Sequence, residues 1–419
     1  MAVITPKVTL YLGSTIDVSS YVQSVNTRRG RTRSITHATA GTSTIVLRNE
    51  DRRFDPEYAS GPYYGNIILK GAVKIYGTIG GGVGDTQIYE GTISSWNTNY
   101  EGPNASTVTV TCVDGLEKLS MTSLKSLTDG SGNKPPTFSS ELSGTRVANI
   151  LDCYVATADG GGGATAPIWP TGSTYRDVAA GNGTMQAKET TSNAWQELQV
   201  VANSEMSQGA YVSRIGKLVY KGRLTPLGGP TIIFSDDGSD IPYTNVKMIM
   251  DLELVFNLIS LARYDVDGSL GGVPTTSSDA TSQATYGVRE FSRTGMLNTE
   301  DSSGDAEIQN IADYIRQQFK DQDVRFDNLV VSPNILTTAQ QQTVLELEVA
   351  TGIEVQRTPQ VSGASSAQVS RDMVVDNVSH RIDKGNRWTT TFGLSPYNEL
   401  VSDFMTINTG ELGTGTIGF

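Results

Sequence analysis

The sequence predicts a mainly β fold with α+β insertions, in which two similar β domains flank a smaller middle domain. The composition is rich in glycine, with 44 Gly, and in Ser and Thr, whereas Lys is sparse; strands joined by many turns have this composition. Residues 107–113 alternate Thr with Val, Val and Cys, the period-two pattern of a half-buried strand. Segments near the start of the chain also recur near its end.

The recurring segments keep their order and their spacing. Three pairs of apolar residues mark them: Val73 and Ile353, 280 positions apart; Ile93 and Val378, 285 apart; and Val113 and Leu394, 281 apart. A strand over 44–47 has a counterpart near 328–331, at an offset of about 284. Each match alone is common among strands. Their shared order predicts a duplicated module, which is more typical of assembly than of catalysis.

The first β domain is predicted over residues 1–124. Besides the strand at 107–113, short strands are expected at 44–47 and 73–76, and Gly80–Gly84 is expected to be a loop between strands. The composition changes to Asp, Gly, Ser, Asn and two prolines over 127–137, which is typical of a domain boundary.

A middle α+β domain is predicted over 125–235. Apolar residues at helical spacing predict a short helix near 146–155 and a longer helix over 193–206, the latter with Ser192 as its N-cap. A hairpin over 210–221, turning at Ile215–Gly216, follows the longer helix.

The second β domain is predicted over 236–400. A strand is expected within 254–264, and the strongest helix of the chain over 305–320, where five apolar residues form one stripe. Strands at 344–349 and 389–394 complete the pattern. Residues 401–419 hold four glycines and no core, and we interpret them as a C-terminal arm that orders against a neighbour.

Charge and apolar patterning exclude several classes of protein. The formal net charge is −12, with 32 Lys and Arg against 44 Asp and Glu, which argues against a protein whose main task is to grip phosphates. The longest apolar runs are too short for a membrane-spanning helix, and the first residues do not resemble a secretory signal. The two cysteines, Cys112 and Cys153, are expected to be reduced core residues.

The sequence offers little for catalysis, so no catalytic, cofactor-binding or metal-binding residue is predicted, and no cofactor. His37 and His380 are the only histidines, and neither has an orienting partner at a recognisable spacing. Acidic pairs occur at Asp236–Asp237, Asp265/Asp267 and Asp321/Asp323. The first two pairs precede glycines and are interpreted as turn residues.

One charge cluster is notable. Four guanidinium groups, and two more further on, could pair with carboxylates of an adjoining subunit because arginine favours bidentate contacts. The alternative is a solvated loop in an acidic protein. The candidate subunit-interface residues are Arg28, Arg29, Arg31, Arg33, Arg52 and Arg53.

Segments of both halves of the chain form a recognisable set. These segments are residues 17–22, 40–49, 51–56, 61–64, 73–75, 89–91, 108–116, 284–289, 387–391 and 394–396. Together they resemble minor tail proteins of long-tailed, siphovirus-like bacteriophages, in particular the tail-hub type related to baseplate hub proteins. The resemblance covers most of the chain and thins between 125 and 190.

The resemblance implies two tandem tube-like β-barrel domains plus the smaller middle domain, and a homotrimer. Three chains with two similar units each would give a pseudo-six-fold ring at the tail tip. Such a ring joins the hexameric tail tube or distal tail protein to a three-fold central spike or fibre protein, with the tape measure protein as another neighbour. DNA would pass through its lumen without specific binding. The family also implies that the protein has no enzyme activity and no membrane partner, and that it is a virion protein made in the host cytoplasm.

Three other functions stay open on the sequence. A distal tail ring protein also has a tube-like β domain, but one per chain. A tail-associated glycan hydrolase would use acidic residues such as Asp236 and Asp237. A receptor-binding adhesin would bind host cells as the isolated protein.

Overall fold

A computed structural model describes residues 4–32, 37–100, 106–155, 166–190, 192–206, 209–223, 230–250, 252–265, 274–322, 324–358 and 368–397. Strands account for 45% of the structure and helices for 21%, so the predicted mainly β class is confirmed. The predicted C-terminal arm over 401–419 lies outside the described residues. Three short 3-10 helices lie at Ser19–Tyr21, Leu124–Ser126 and Pro333–Ile335.

The N-terminal part of the chain contributes seven strands to the largest sheet. In β7 of this set, Val108, Val110 and Cys112 are fully buried, as the alternation at 107–113 predicts, because successive side chains of a strand point to opposite faces. The strands are β1 Ile4–Tyr11, β2 Thr15–Asp17, β3 Val22–Arg31, β4 Ala38–Arg48, β5 Ala72–Ile79, β6 Gly84–Tyr100 and β7 Ser106–Val113.

A middle α+β region with its own apolar core follows. Its longest helix begins one residue later than predicted, because the Asn193 side chain accepts the backbone N–H of Gln196 and so forms the N-cap in place of Ser192. A hairpin turns through Gly216 at φ +76°. The elements are α1 Leu116–Met121, β8 Thr137–Phe138, β9 Glu141–Leu142, α2 Ser143–Asp152, β10 Arg176–Val178, β11 Thr184–Met185, β12 Lys188–Glu189, α3 Ala194–Glu205, β13 Gly209–Val212 and β14 Leu218–Lys221.

The C-terminal part returns to the large sheet but is interrupted by a separate three-stranded sheet. That inserted sheet packs against the strongest predicted helix, which starts at the N-cap Asp301. The elements before the return are β15 Ile232–Ser235, β16 Ile241–Pro242, β17 Asn245–Ile249, β18 Leu258–Arg263, β19 Thr275–Ser278, α4 Ala280–Tyr286, β20 Glu290–Met296 and α5 Ser302–Phe319.

The last elements complete the large sheet. The predicted strand at 344–349 is wrong: a helix occupies its first half and no strand the rest, because Thr337 and Gln340 form a capping box that starts a helix ending at Glu346. These elements are β21 Arg325–Val331, α6 Thr338–Glu346, β22 Gly352–Arg357, β23 Val369–Asp383 and β24 Arg387–Pro396.

The duplication predicted from the sequence is present in the strand pairing. The antiparallel order β4-β7-β6-β5 of the first half recurs as β21-β24-β23-β22 in the second. In both halves a register shift interrupts the central pair at the same place, after Ile93↔Cys112 and after Val375↔Leu394. Val375 lies 282 positions after Ile93, and Leu394 lies 282 positions after Cys112.

The turn that precedes β5 recurs in the same conformation before β22. Lys70 and Ala350, 280 positions apart, have φ +67° and +60°. The N–H of Lys70 donates to Ile93 O at 2.8 Å, and the N–H of Ala350 donates to Val375 O at 2.8 Å. Non-glycine residues rarely adopt positive φ, so this shared conformation is strong support for the duplication.

The pairing corrects one detail of the sequence alignment. His380 lies opposite Thr390, and Thr98 lies opposite Val108, 282 positions earlier on both strands. The counterpart of His380 is therefore Thr98, and not Ser95 as the sequence offset of 285 gives. The offset of 285 read between Ile93 and Val378 is three positions too long, because Ile93 corresponds to Val375.

The two halves are joined edge to edge. β23 pairs with β3, which links both units into one 14-stranded sheet, and within the described residues no strand pairing closes either half into a barrel. Two tandem closed barrels are therefore not confirmed. The cores also meet, since Leu345, Ile382 and Trp388 of the second half lie in the apolar core of the first.

Candidate functional site: the seam between the two copies

The junction of the copies is the candidate site, because it shows how one unit binds another. Residues 25–30 of β3 pair antiparallel with 377–382 of β23, from Val25↔Ile382 to Gly30↔Asn377. We call this pairing the internal seam. Val25, Ile382 and Val378 point into the core and are buried, so the seam is both a hydrogen-bonded and an apolar contact.

The irregularities of the two strands meet at one end of the internal seam. Asp376 is the extra residue of the β23 bulge, and it lies against Gly30, which has φ +107°. A Cβ on Gly30 would overlap the carbonyl oxygen of Asp376 and lie 2.8 Å from the Cα of Asn377. Glycine is therefore required here on both counts.

A buried ion pair closes this end of the internal seam. Arg31 Nε donates to Asp376 Oδ1 at 2.8 Å, and the two side chains are 2% and 1% exposed. The other carboxylate oxygen of Asp376 accepts the hydroxyl of Ser395 on β24. The charge of Asp376 is thus compensated from both copies, as burial of an ion requires.

A second ion pair ties the seam to the middle region. Arg29 Nη1 donates to Glu348 Oε2 at 2.9 Å, with the arginine side chain 2% exposed. Glu348 Oε1 accepts the backbone N–H of Arg214 at 2.8 Å, and Arg214 Nη1 donates to Gln87 O of β6 at 2.9 Å. Glu348 therefore holds the first copy and the hairpin of the middle region together.

Burial shifts the pKa of two titratable groups beside the seam. Burial and the nearby Arg29 charge lower the pKa of His380 to about 3, and its Nδ1 lies 3.0 Å from Thr390 Oγ1. Burial raises the pKa of Asp114 to about 7, and its carboxylate accepts the N–H of Gly41 at 2.7 Å. His380 is a packed core residue here and has no carboxylate partner of the catalytic kind.

Replacing His380 by asparagine is expected to change how stability depends on pH. The unfolded chain protonates this histidine near pH 6.5 and the folded chain only near 3, so the folded state loses stability as pH falls below 6.5, by up to about 1.4 kcal/mol per pH unit. The difference in unfolding free energy between the wild type and H380N should shrink from pH 7 to pH 5, as measured by urea unfolding.

His37 and Asp114 are the internal controls for this comparison. The pKa of His37 is lowered to about 4 by burial and nearby arginines, so it acts in the same direction, whereas the raised pKa of Asp114 acts in the opposite one. Both groups are present in both proteins and cancel in the difference. Parallel curves for the two proteins would contradict the prediction.

The solvent face of the seam is polar and includes the exposed Arg381, which lies opposite Asn26. Arg28, Asp327 and Asn328 border a shallow groove of about 370 Å³ over this face. Hydroxyl and amide side chains line neighbouring strands on the same side. They include Asn26, Thr42, Thr44, Thr109, Thr111, Ser379, Thr389 and Thr391.

The predicted interface arginines fall into two places. Arg28, Arg29 and Arg31 lie on β3 at the internal seam, where the last two are buried by partners of the same chain. Arg52 pairs with Asp55 at 2.7 Å in the loop after β4, and the Arg53 guanidinium lies 4.2 Å from the centre of the Tyr21 ring. Arg33 lies outside the described residues. A role of these residues between subunits stays a prediction.

The sequence analysis missed the acidic partners of these arginines. Glu348 and Asp376 are separated from them by more than 300 positions, and Arg214 belongs to a different region. Asp376 had one signal: it is the first residue of the repeated segment 376–381, where a bulge interrupts the alternation.

The described residues contain no cluster of three or more metal-ligating side chains, and none of their helices is long and apolar enough to cross a membrane. Asp237 accepts the N–H of Ser239 at 2.9 Å as a turn residue. Cys112 and Cys153 are buried and free of disulfides, as predicted.

Two solved structures of tail proteins have a fold similar to that of this chain. A tail protein from Neisseria meningitidis MC58 has a TM-score of 0.59 at 11% identity, over 94% of this chain and 98% of that one. The 43 kDa tail protein of prophage MuSo2 from Shewanella oneidensis has a TM-score of 0.54 at 12% identity, over 94% and 100%. The chain has the fold of these tail proteins.

The likeness is one of structure alone. No family model matches the sequence, and no curated protein matches it. Because nearly the whole length of each chain is covered, the shared fold takes in both copies, the middle region and the inserted sheet. The tail-protein resemblance read from the sequence is thus supported at the level of fold, without the siphovirus type.

Proposed function

We propose that this chain is a structural protein of a bacteriophage tail, and that three copies form the hub at the tail tip. The observation that carries the proposal is the pair of equivalent four-strand units in a chain with the fold of tail proteins. A trimer of such chains presents six similar units to a hexameric tail tube and three identical chains to a spike or fibre.

In this hub each unit is completed to a tube-like barrel by its surroundings in the ring. The tail tube or distal tail protein binds one side, the central spike or fibre protein the other, and the tape measure protein is a further neighbour. The hub belongs to the virion and acts without catalysing a reaction.

The lumen is the part of this proposal that concerns DNA. A net charge of −12 disfavours the binding of phosphates, so DNA passes without being held.

Mass measurement of the purified protein and electron microscopy of tails carrying a tagged copy test the proposal. Three copies at the tail tip are expected. A hexamer with one unit facing the tube would indicate a distal tail ring, and host-cell binding by the isolated protein an adhesin. Release of sugars, lost in D236N/D237N, would indicate a glycan hydrolase. Absence from tail tips would contradict the proposal.

A further inference from the structure

The internal seam defines two kinds of strand edge, one on each copy. The first copy contributes the edge of β3 that faces away from β4, which we call its outer edge; the other edge of β3 pairs with β4. The second contributes the outer edge of 377–382 in β23, whose other edge pairs with β24. Because the copies are equivalent, each kind of edge occurs a second time in the chain.

The counterpart of the β3 edge is β17. β17 pairs antiparallel with β21 as β3 pairs with β4, and Val246↔Leu329 corresponds to Val25↔Ile45. The counterpart of 377–382 in β23 is 95–100 in β6, which pairs with β7. In the part of the chain that the structure describes, no strand pairs with the outer edge of either.

Apolar side chains are exposed at both of these edges. Met248 and Met250 are 45% and 63% exposed along β17 and just after it, and Tyr100 is 56% exposed at the end of β6. Exposed apolar residues grouped along a strand edge mark an interaction surface rather than a solvated one.

The turn before β5 gives the most direct comparison. Val349 is 2% exposed, because Gly30 of the internal seam and the Tyr211 hydroxyl contact it. Its counterpart 280 positions earlier is Leu69, which is 57% exposed, beside Ile68 at 49%. The position that the internal seam buries in one copy is thus apolar and uncovered in the other.

We propose that β17 of one subunit pairs antiparallel with residues 95–100 of β6 in a second copy of this chain. The register follows from the internal seam: Val246 lies opposite Tyr100, as Val25 lies opposite Ile382, and Lys247 lies opposite Asn99, as Asn26 lies opposite Arg381. The segment around β17 then covers Leu69 of the neighbour.

This pairing rests on the proposed hub and specifies its subunit contact. Different edges meet at each contact, so the interface is heterologous and closes into a ring when the rotation per unit allows it. In a trimer the ring has six seams, of which three lie within chains and three between them.

Disulfide trapping tests the register. In N99C/K247C, mild oxidation of the purified protein, or of assembled tails where the free protein is monomeric, should give covalent dimers and trimers on a denaturing gel. Each single variant should give neither. The native Cys112 and Cys153 are buried and serve as the background in every variant.

N97C/K247C is the matched control, because Asn97 lies on the same strand and face two residues away from the predicted partner. It should cross-link at least about tenfold more slowly, since diagonal neighbours in a sheet are about 7–8 Å apart. If the protein is a trimer by mass but both variants cross-link equally, or neither does, the register is overturned and the hub proposal stands. A cross-link within one chain or to another tail protein would overturn the pairing, and absence from tails would overturn both proposals.

L69D tests the covered patch independently. A charge buried without a partner at each subunit contact should weaken trimer formation by about a hundredfold or more, as measured by sedimentation. V288D, at a residue that is 67% exposed between α4 and β20, should leave the trimer unchanged. Equal behaviour of the two variants would contradict the proposal.

Discussion

Replacing Asp376 by alanine is expected to lower the free energy of unfolding by about 3–5 kcal/mol, because it removes the carboxylate from a buried guanidinium. Asp376 and Arg31 are almost fully buried, and Asp376 also holds Ser395 of β24. The change therefore releases contacts on both sides of the internal seam. Urea unfolding of the wild type and D376A, compared by their midpoints at equal slope, measures it.

Two variants separate the ion pair from simple loss of a side chain. R31M/D376L replaces the pair by apolar groups and should recover much of the stability, because well-packed apolar residues often equal a buried ion pair. R381A breaks a pair whose side chains are 71% and 44% exposed and should change stability by no more than about 1 kcal/mol. A loss in D376A as small as that in R381A would contradict the prediction.

Replacing Trp388 by alanine should also lower the free energy of unfolding by about 3–5 kcal/mol, because it leaves a cavity in a closed core. Trp388 belongs to β24 but is 1% exposed within the core of the first copy. A Cβ on Gly77 of β5 would lie 3.0 Å from its indole. The variant should therefore speed amide hydrogen exchange in β5, more than 300 positions away.

W195A is the matched control for this experiment. Trp195 packs against the core of the middle region, so its loss should raise exchange there and leave β5 protected. If β5 stays protected in W388A while amide hydrogen exchange rises only in the second copy, the two copies unfold separately. That result would contradict a shared core.

The sequence predicted those features that depend on neighbouring residues. The Thr–Val alternation of β7 and the apolar stripe of α5 were readable because side-chain direction follows a fixed local period. The repeat was readable at 73/353, where the offset of 280 holds in the structure, and less so at 93/378, where the true counterpart of Ile93 is Val375. The helix α6 was mistaken for a strand because its start depends on the cap at Thr337.

The seam could not be read from the sequence. Which strand lies beside β3 depends on contacts between residues 25–30 and 377–382, and no local pattern records a partner so far along the chain. By itself the sequence determined the strands, their buried faces and the duplicated order, since these follow from local periodicity. Only the tertiary structure decided that the copies join edge to edge, with Arg31 buried against Asp376, because edge pairing and charge burial are settled when distant segments pack together.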